Sequence, residues 1–202
     1  WNGEHYREDF DLAKSFGHNA HRLSVEWSRI EPREGGWNAE AITFYRRVLS
    51  ALRERGMTPL VTLHHFANPL WLRAKGAWET EAVVPPFERF VTRVVQELGD
   101  LCDFWITINE PNIYATLGYL IGTYPPGEHD LVLTLRVLRN LVQAHVEAFY
   151  VIRDLQPLAE IGYCLHYRLF DPANELSPLD RSAASLQETL FNWEVLQAAE
   201  TG

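Results

Sequence analysis

A carboxylic acid and an amide stand side by side at Glu110 and Asn109, directly after an apolar run and directly before Pro111. A carboxylic acid at the mouth of a pocket can give a proton to a leaving oxygen and later take one from water. Pro111 cannot donate to a continuing strand, and it favours an extended backbone at the residue before it. We therefore predict a strand that ends at Asn109 and an extended Glu110 that faces a pocket as general acid and base. The alternative is that Glu110 caps the next helix or pairs with an arginine.

Two adjacent histidines, His64 and His65, end a second apolar run and raise the question of a metal site. Adjacent strand residues point to opposite faces, so the two rings cannot easily serve one pocket. The two cysteines, Cys102 and Cys164, form no C-x-x-C pair, and we expect both to be reduced and buried. The sequence therefore predicts neither a metal site nor a cofactor.

These residues lie in an alternation of amphipathic helices and apolar strands. The predicted helices span residues 6–16, 39–55, 86–98, 131–155 and 182–199. The predicted strands span residues 21–27, 59–65, 104–109 and 161–166. This alternation favours an α/β fold, in which right-handed crossovers place four parallel strands side by side.

The chain has 202 residues, whereas a closed (β/α)8 barrel takes about 250. We therefore predict a single partial barrel domain over residues 1–202. Its two outer strands would be unpaired edges that invite self-association.

Several strings of this sequence, in order, resemble motifs of the family-1 glycoside hydrolases, the β-glucosidases and their relatives. T-I-N-E-P at 107–111 is similar to the acid/base motif, R-L-S-V-E-W-S-R-I at 22–30 to the second-strand motif, and V-T-L-H-H-F at 61–66 to the third. Gly118-Tyr119 and 125–127 match the loop after the acid/base strand. The resemblance covers essentially the whole chain and implies a partial TIM barrel that holds the second to fifth strands.

The resemblance implies a role for each matching residue. Glu110 matches the general acid/base, and Asn109 matches the amide that binds the sugar 2-hydroxyl. His65 matches a histidine that binds another sugar hydroxyl, and Arg22 the arginine that orients the nucleophile carboxylate. The alternatives are a core histidine at His65 and a structural ion pair at Arg22.

The sequence departs from the family pattern at several of its positions. Phe66 stands where many members carry tryptophan, and His166 where asparagine is common; both are predicted to contact substrate. Asn112 replaces a frequent aromatic and suggests a more polar leaving-group side. Glu26 and Arg22 point to the same face of the predicted strand. For Glu26 we favour an ion pair behind the site over a catalytic role.

The family's nucleophile lies in a late Glu-Asn-Gly type motif, and no such string occurs in these 202 residues. Retaining hydrolysis needs a second carboxylate about 5 to 5.5 Å from the acid/base. We therefore predict a retaining β-glycosidase that works by double displacement, of which this chain carries the acid/base half and is inactive alone. The alternatives are a non-catalytic half-barrel that binds sugar or assembles with a complementary half, and a related hydrolase of longer glucans.

A net charge of -9 argues against a nucleic-acid or anionic-membrane partner, because both require clustered Lys and Arg. No apolar run approaches the roughly 20 residues that span a bilayer. The predicted partner is a β-glycoside or oligosaccharide, and the predicted compartment is the cytoplasm. The sequence leaves open whether the sugar is gluco, galacto, fuco or phosphorylated.

Overall fold

The computed structural model describes residues 4–193 and residue 197. Within them, four parallel strands form one sheet in the order β1-β2-β3-β4. The strands are β1 (Ala20–Ser24), β2 (Thr58–His64), β3 (Phe104–Asn109) and β4 (Glu160–Cys164). The predicted half-barrel of four parallel strands is confirmed, and all four carboxyl ends lie at one edge of the sheet.

Helices connect the strands and pack against one face of the sheet. They are α1 (Tyr6–Ser15), α2 (Trp27–Ile30), α3 (Ala39–Glu54), α4 (Leu70–Arg73), α5 (Val84–Leu98), α6 (Pro111–Ala115), α7 (Leu131–Leu155) and α8 (Pro178–Glu188). Single turns of 3-10 helix occupy Ala77–Glu79 and Glu81–Val83, and π-helical turns occupy Thr116–Leu120 and Thr189–Trp193. The four helices predicted first along the chain are confirmed as α1, α3, α5 and α7.

Aromatic packing holds these helices to the sheet. Trp27 stacks on Phe90 of α5 at 5.0 Å between ring centroids, and both rings are fully buried with Phe87 and Trp78. Burying side chains of this size contributes about 1.5–3 kcal/mol each. The core therefore lies between the helices and the outer face of the sheet.

The opposite face of the sheet is open. Val61 and Trp105 point to the helices and are buried, whereas Arg22 is exposed and Phe104 keeps 39% of its surface accessible. Within the described residues, β1 and β4 each pair along one side only. The inner face is thus partly accessible, and within the described residues each outer strand has one unpaired side, as in half of a barrel.

Three strand ends differ from the prediction. β1 ends at Ser24 and not at Trp27, because Trp27 turns into α2 and buries its ring. β2 ends at His64 and β4 at Cys164, so His65 and His166 follow their strands. Both histidines therefore lie in loops at the carboxyl edge.

The last helix also begins earlier than predicted. Ser177 caps α8 by accepting a hydrogen bond from the backbone N–H of Asp180 at 3.3 Å, and Pro178 occupies the first turn. None of its side chains is buried. From residue 194 the predicted helix lies outside the described residues, apart from Gln197, which is helical.

Both cysteines are free, as predicted. Cys102 is buried and its thiol lies 3.1 Å from the carbonyl oxygen of Phe104, but Cys164 is only half-buried, which corrects the prediction for it. In the described part of the chain, no helix has the length and apolar character needed to cross a membrane.

Candidate active site

Glu110 links β3 to α6 and has a left-handed backbone, with φ 45° and ψ 61°. The predicted extended conformation is therefore wrong. Its backbone N–H donates to the carbonyl of Cys164 at 2.8 Å, and its carbonyl accepts from Tyr114 at 3.0 Å. These two bonds fix the turn, and a non-glycine residue held there costs about 1–2 kcal/mol, a strain that clusters at functional sites. The side chain is 31% exposed, so a ligand at the open edge can reach it.

Asn109 and Arg22 meet directly although they lie on β3 and β1. Arg22 Nη2 donates to Asn109 Oδ1 at 2.5 Å, and Arg22 Nε donates to Thr62 Oγ1 at 2.9 Å. Asn109 is buried. Since the amide oxygen is occupied by the guanidinium, the Asn109 amino group is the part that remains to donate to a ligand. Arg22 forms no ion pair within residues 4–193, so the structural ion pair considered for it is not seen there.

His65 and Phe66 follow β2 at the same edge. His65 Nδ1 lies 2.8 Å from Ser24 Oγ, and the residue is exposed. Phe66 has φ 70°, and its ring lies 5.2 Å from that of His65 and 6.0 Å from that of Tyr114. His65 is therefore not a core histidine, and Phe66 provides an aromatic surface beside it.

Burial lowers the pKa of His65 from its ordinary value, and the positive charge of Arg22 lowers it further. The carboxylate of Glu110 acts in the opposite direction on the same pKa. The His65 imidazole is thus neutral near pH 7, with a single N–H.

His166 lies on the other side of Glu110, beyond the end of β4. Its Nδ1 is 3.8 Å from Glu110 Oε1, and its side chain is 39% exposed. The edge of the sheet therefore gathers an acid, an amide, two imidazoles, a guanidinium and a phenyl ring within reach of one another.

The adjacent His64 has a different role. It is fully buried, and burial lowers its pKa to about 4. Its Nε2 lies 3.2 Å from Asn68 Oδ1, which also accepts from Trp78 Nε1 at 2.8 Å, and Asn68 Nδ2 donates to Tyr114 at 2.9 Å. Asn68 thus joins the loop after β2 to α6, a contact that no sequence motif indicated.

Asn112 does not line the open side of the site. Its side chain is buried and donates to the carbonyl oxygens of His166 at 2.8 Å and Phe191 at 3.1 Å. The polar leaving-group side suggested for it is therefore not seen; Asn112 instead holds the loop that carries His166.

Glu26 lies beyond the end of β1, at the start of α2. Burial raises the pKa of its carboxyl, and Arg29 partly offsets this. No ion pair of Glu26 occurs in residues 4–193, so the ion pair interpreted behind the site is not seen. Across the described part of the chain, no cluster of three His, Cys, Asp or Glu side chains could hold a metal ion.

An apolar cleft of about 1300 Å³ lies elsewhere, between α6, α7 and the segment that follows β4. Its walls include Leu131, Leu138 and Phe191, but neither Glu110 nor His65. The candidate site is instead the open carboxyl edge of the sheet.

The fold is part of a TIM barrel, and the solved structures that it resembles are barrel glycosidases. Thermotoga maritima β-glucosidase in complex with deoxynojirimycin has a TM-score of 0.88 and 34% identity over 93% of this chain and 43% of that one. The model of glycosyl hydrolase family 1 matches residues 3–199. The chain belongs to this family of glycoside hydrolases.

Two relatives illustrate the range of the family. "Beta-glucosidase A" of Thermotoga maritima is 34% identical over 176 residues, which cover 85% of this chain and 40% of the relative. "6-phospho-beta-galactosidase" of Lacticaseibacillus rhamnosus is 34% identical over 189 residues, or 93% of this chain and 40% of the relative. The chain thus spans about two-fifths of the length of these relatives.

Proposed function

We propose that the whole protein hydrolyses β-linked glycosides with retention by double displacement, and that residues 1–202 form one partial barrel domain carrying its acid/base half. The observation that supports this proposal most strongly is the strained Glu110, whose 31% exposed side chain lies at the carboxyl edge between His65 and His166. Active sites of parallel barrels lie at this edge. Related proteins of known structure bind sugar-like inhibitors, which supports a glycoside as the partner.

Glu110 acts twice in this proposal. Its carboxylic acid protonates the glycosidic oxygen as the bond to the anomeric carbon breaks and the nucleophile carboxylate attacks that carbon. Its carboxylate then takes a proton from the water that displaces the nucleophile. The overall reaction adds one water across the glycosidic bond.

The neighbouring side chains orient the sugar in this proposal. The Asn109 amino group donates to the 2-hydroxyl, because Arg22 occupies its amide oxygen. His65 binds another hydroxyl, while Phe66 and His166 contact the sugar from the loops after β2 and β4. Arg22 orients the nucleophile carboxylate, and the positive charge of Arg22 keeps that carboxylate ionised.

We further propose that the 202-residue chain is inactive alone, because it contributes one of the two carboxylates that the reaction needs. Its free cysteines and acidic charge favour the cytoplasm. The sugar preference can be determined by comparing kcat/KM of the whole protein on gluco, galacto, fuco and 6-phospho glycosides.

The test is Glu110→Gln in the whole protein. Hydrolysis of β-glycosides with poor leaving groups should fall about a hundredfold to ten-thousandfold, whereas release of an activated aryl alcohol in the first step should persist. The matched control is Glu160→Gln, an exposed carboxylate at the amino end of β4. Unchanged kinetics of Glu110→Gln on both substrates would overturn the assignment.

A second candidate is association through the open edges, by self-association or with a complementary half. It is favoured by the one-sided pairing of β1 and β4 within the described residues. Native mass spectrometry of the chain would show dimers or complexes, and sugar calorimetry would show binding without turnover. A monomer that binds no sugar contradicts it.

A further inference from the structure

The chain after β4 stays hydrogen-bonded beyond the end of the strand. Three backbone carbonyls at a spacing of two residues each accept a hydrogen bond at 2.8 Å, those of Cys164, His166 and Arg168. Their donors are, in the same order, the backbone N–H of Glu110 and the side-chain amides of Asn112 and Asn192. Two asparagine side chains therefore take the place that a neighbouring strand has in a sheet ladder.

Asn192 binds both backbone groups of one residue. Its Nδ2 donates to the carbonyl oxygen of Arg168 at 2.8 Å, and its Oδ1 accepts from the Arg168 N–H at 3.2 Å. The Asn192 side chain is fully buried, so breaking this pair would leave polar groups without water or a partner. Asn192 thus fixes the loop after β4 to the π-helical turn Thr189–Trp193.

Asn112 fixes the same loop to the helix that follows Glu110. It lies in the first turn of α6 and is buried. Its amino group donates to the carbonyl oxygens of His166 at 2.8 Å and of Phe191 at 3.1 Å. One short helix therefore starts at the acid and carries the group that holds the backbone of His166.

These bonds place the ring of His166 beside the acid. His166 Nδ1 lies 3.8 Å from Glu110 Oε1. The same ring lies edge-on to the ring of Phe191, with 6.0 Å between centroids and 86° between planes. Since Phe191 directly precedes Asn192, one turn holds both the ring of His166 and the loop that carries it.

We propose that Asn112 and Asn192 are positioning residues for proton transfer, whose buried amides hold the loop after β4 so that His166 keeps the Glu110 carboxyl turned towards the leaving oxygen. The kinetic part of this inference rests on the proposed function, whereas the placement of His166 does not. Asn112 and His166, two departures from the family pattern, thus belong to one arrangement. A small misplacement of a catalytic group lowers the rate, so loss of either amide weakens proton donation without removing the acid.

The dependence of kcat/KM on the leaving group tests this step in the whole protein. Alkyl β-glycosides need a proton on the leaving oxygen, whereas 2,4-dinitrophenyl β-glycosides hardly do. Asn112→Ala and Asn192→Ala should each lower kcat/KM about tenfold more on the alkyl glycoside than on the dinitrophenyl glycoside. His166→Ala should show the same preference, and adding it to Asn192→Ala should have little further effect.

The matched control is Asn140→Ala. Asn140 is also fully buried and donates to a backbone carbonyl, that of Trp78 at 2.8 Å, away from the loop after β4. This variant should lose stability in urea but change kcat/KM by the same factor on both substrates. Asn192→Ala carries the test if Asn112→Ala does not fold. An equal leaving-group effect in Asn140→Ala, or none in Asn192→Ala, overturns the proposal.

Histidine NMR of the labelled whole protein separates this inference from the proposed function. With His166 assigned by its loss in His166→Ala, Glu110→Gln should shift the His166 ring signals, and much less so in the Asn192→Ala background. No response to Glu110→Gln, or an equal response in both backgrounds, overturns the positioning role even if Glu110→Gln has the expected kinetics. A response that depends on Asn192, in a protein whose hydrolysis is untouched by Glu110→Gln, supports the placement of His166 while the proposed function fails.

Discussion

The guanidinium of Arg22 on β1 binds the side-chain oxygen of Asn109 on β3 at 2.5 Å, reaching past β2. A second nitrogen of the same group binds Thr62 of β2 at 2.9 Å. One planar side chain therefore spans three neighbouring strands. The Arg22 guanidinium determines which end of the Asn109 amide faces outward. It also ties β1 to Asn109, the residue directly before Glu110.

This geometry makes Arg22→Lys a non-conservative change. Lysine keeps the charge, but its compact ammonium cannot reproduce the fork that binds Thr62 and Asn109 together. We expect kcat/KM of the whole protein to fall at least about tenfold, against little change for the exposed control Arg47→Lys. Since Asn109→Ala removes the same bond, the double variant should lose less than the sum of the two losses. Strictly additive losses would contradict the coupling.

Glu31 should be a major contributor to stability. It is fully buried, and its carboxylate accepts hydrogen bonds from Trp27 Nε1, the Gly35 N–H and Arg89 Nη2, each at 2.7 Å. Glu31→Ala leaves these donors unpaired and should lower the free energy of unfolding by about 3–5 kcal/mol, measured by urea denaturation.

The control for Glu31 is Glu34→Ala, which removes an ion pair with Lys75 at 2.5 Å between two well-exposed side chains. Solvent screens such a pair, so unfolding should hardly change. Equal losses in the two variants would show that burial of the Glu31 carboxylate is not what matters.

Elements with a full apolar stripe could be predicted from the sequence, and short ones could not. The stripe of buried side chains on α5 predicts its packed face, and the proline in its first turn predicts its start to within two residues, at 86 against the observed Val84. α2, α4 and α6 span only four or five residues, too few for a helical period to show. α8 buries nothing, so its limits depend on the Ser177 cap and not on a stripe.

The site was predictable where strand order determines it. Glu110, Asn109 and His65 were placed at one edge because the carboxyl ends of parallel strands meet. The left-handed turn at Glu110 was not predictable, since Pro111 favours an extended backbone at the residue before it. The backbone hydrogen bonds of Glu110 to Cys164 and Tyr114 hold the left-handed conformation instead. The contact between Glu110 and His166 likewise depends on tertiary structure.

Stability should fall on mild acidification because of one buried histidine, His64, and one half-buried histidine, His145. Burial lowers the pKa of both His64 and His145 to about 4, while an unfolded chain titrates them near the ordinary 6.5. Between these values the unfolded state binds more protons, so the free energy of unfolding decreases as pH falls from about 6.5 and levels off below about 4. Each histidine accounts for about 3 kcal/mol over this window.

Urea titrations at several pH values check this dependence. His145→Gln should flatten the slope between pH 6.5 and 4 relative to the wild type, because one of the histidines with a lowered pKa is gone. The exposed His18→Gln should leave the slope as it was. A slope that is the same in all three proteins would exclude His145 as a source of the acid sensitivity.

Asn68 should be required to hold the loop after β2. Its oxygen accepts from Trp78 at 2.8 Å and contacts His64 at 3.2 Å, and its amino group donates to Tyr114 at 2.9 Å. Asn68→Leu keeps a similar volume but leaves these buried groups without partners, so unfolding in urea should become easier by about 2–4 kcal/mol. Asn174→Leu, at an exposed turn, is the control and should cost less than about 1 kcal/mol. Because Phe66 lies between His65 and Asn68, the loss should also disturb the aromatic surface of the site, which raises KM for sugars. A stable Asn68→Leu protein with wild-type KM would show that packing alone holds this loop.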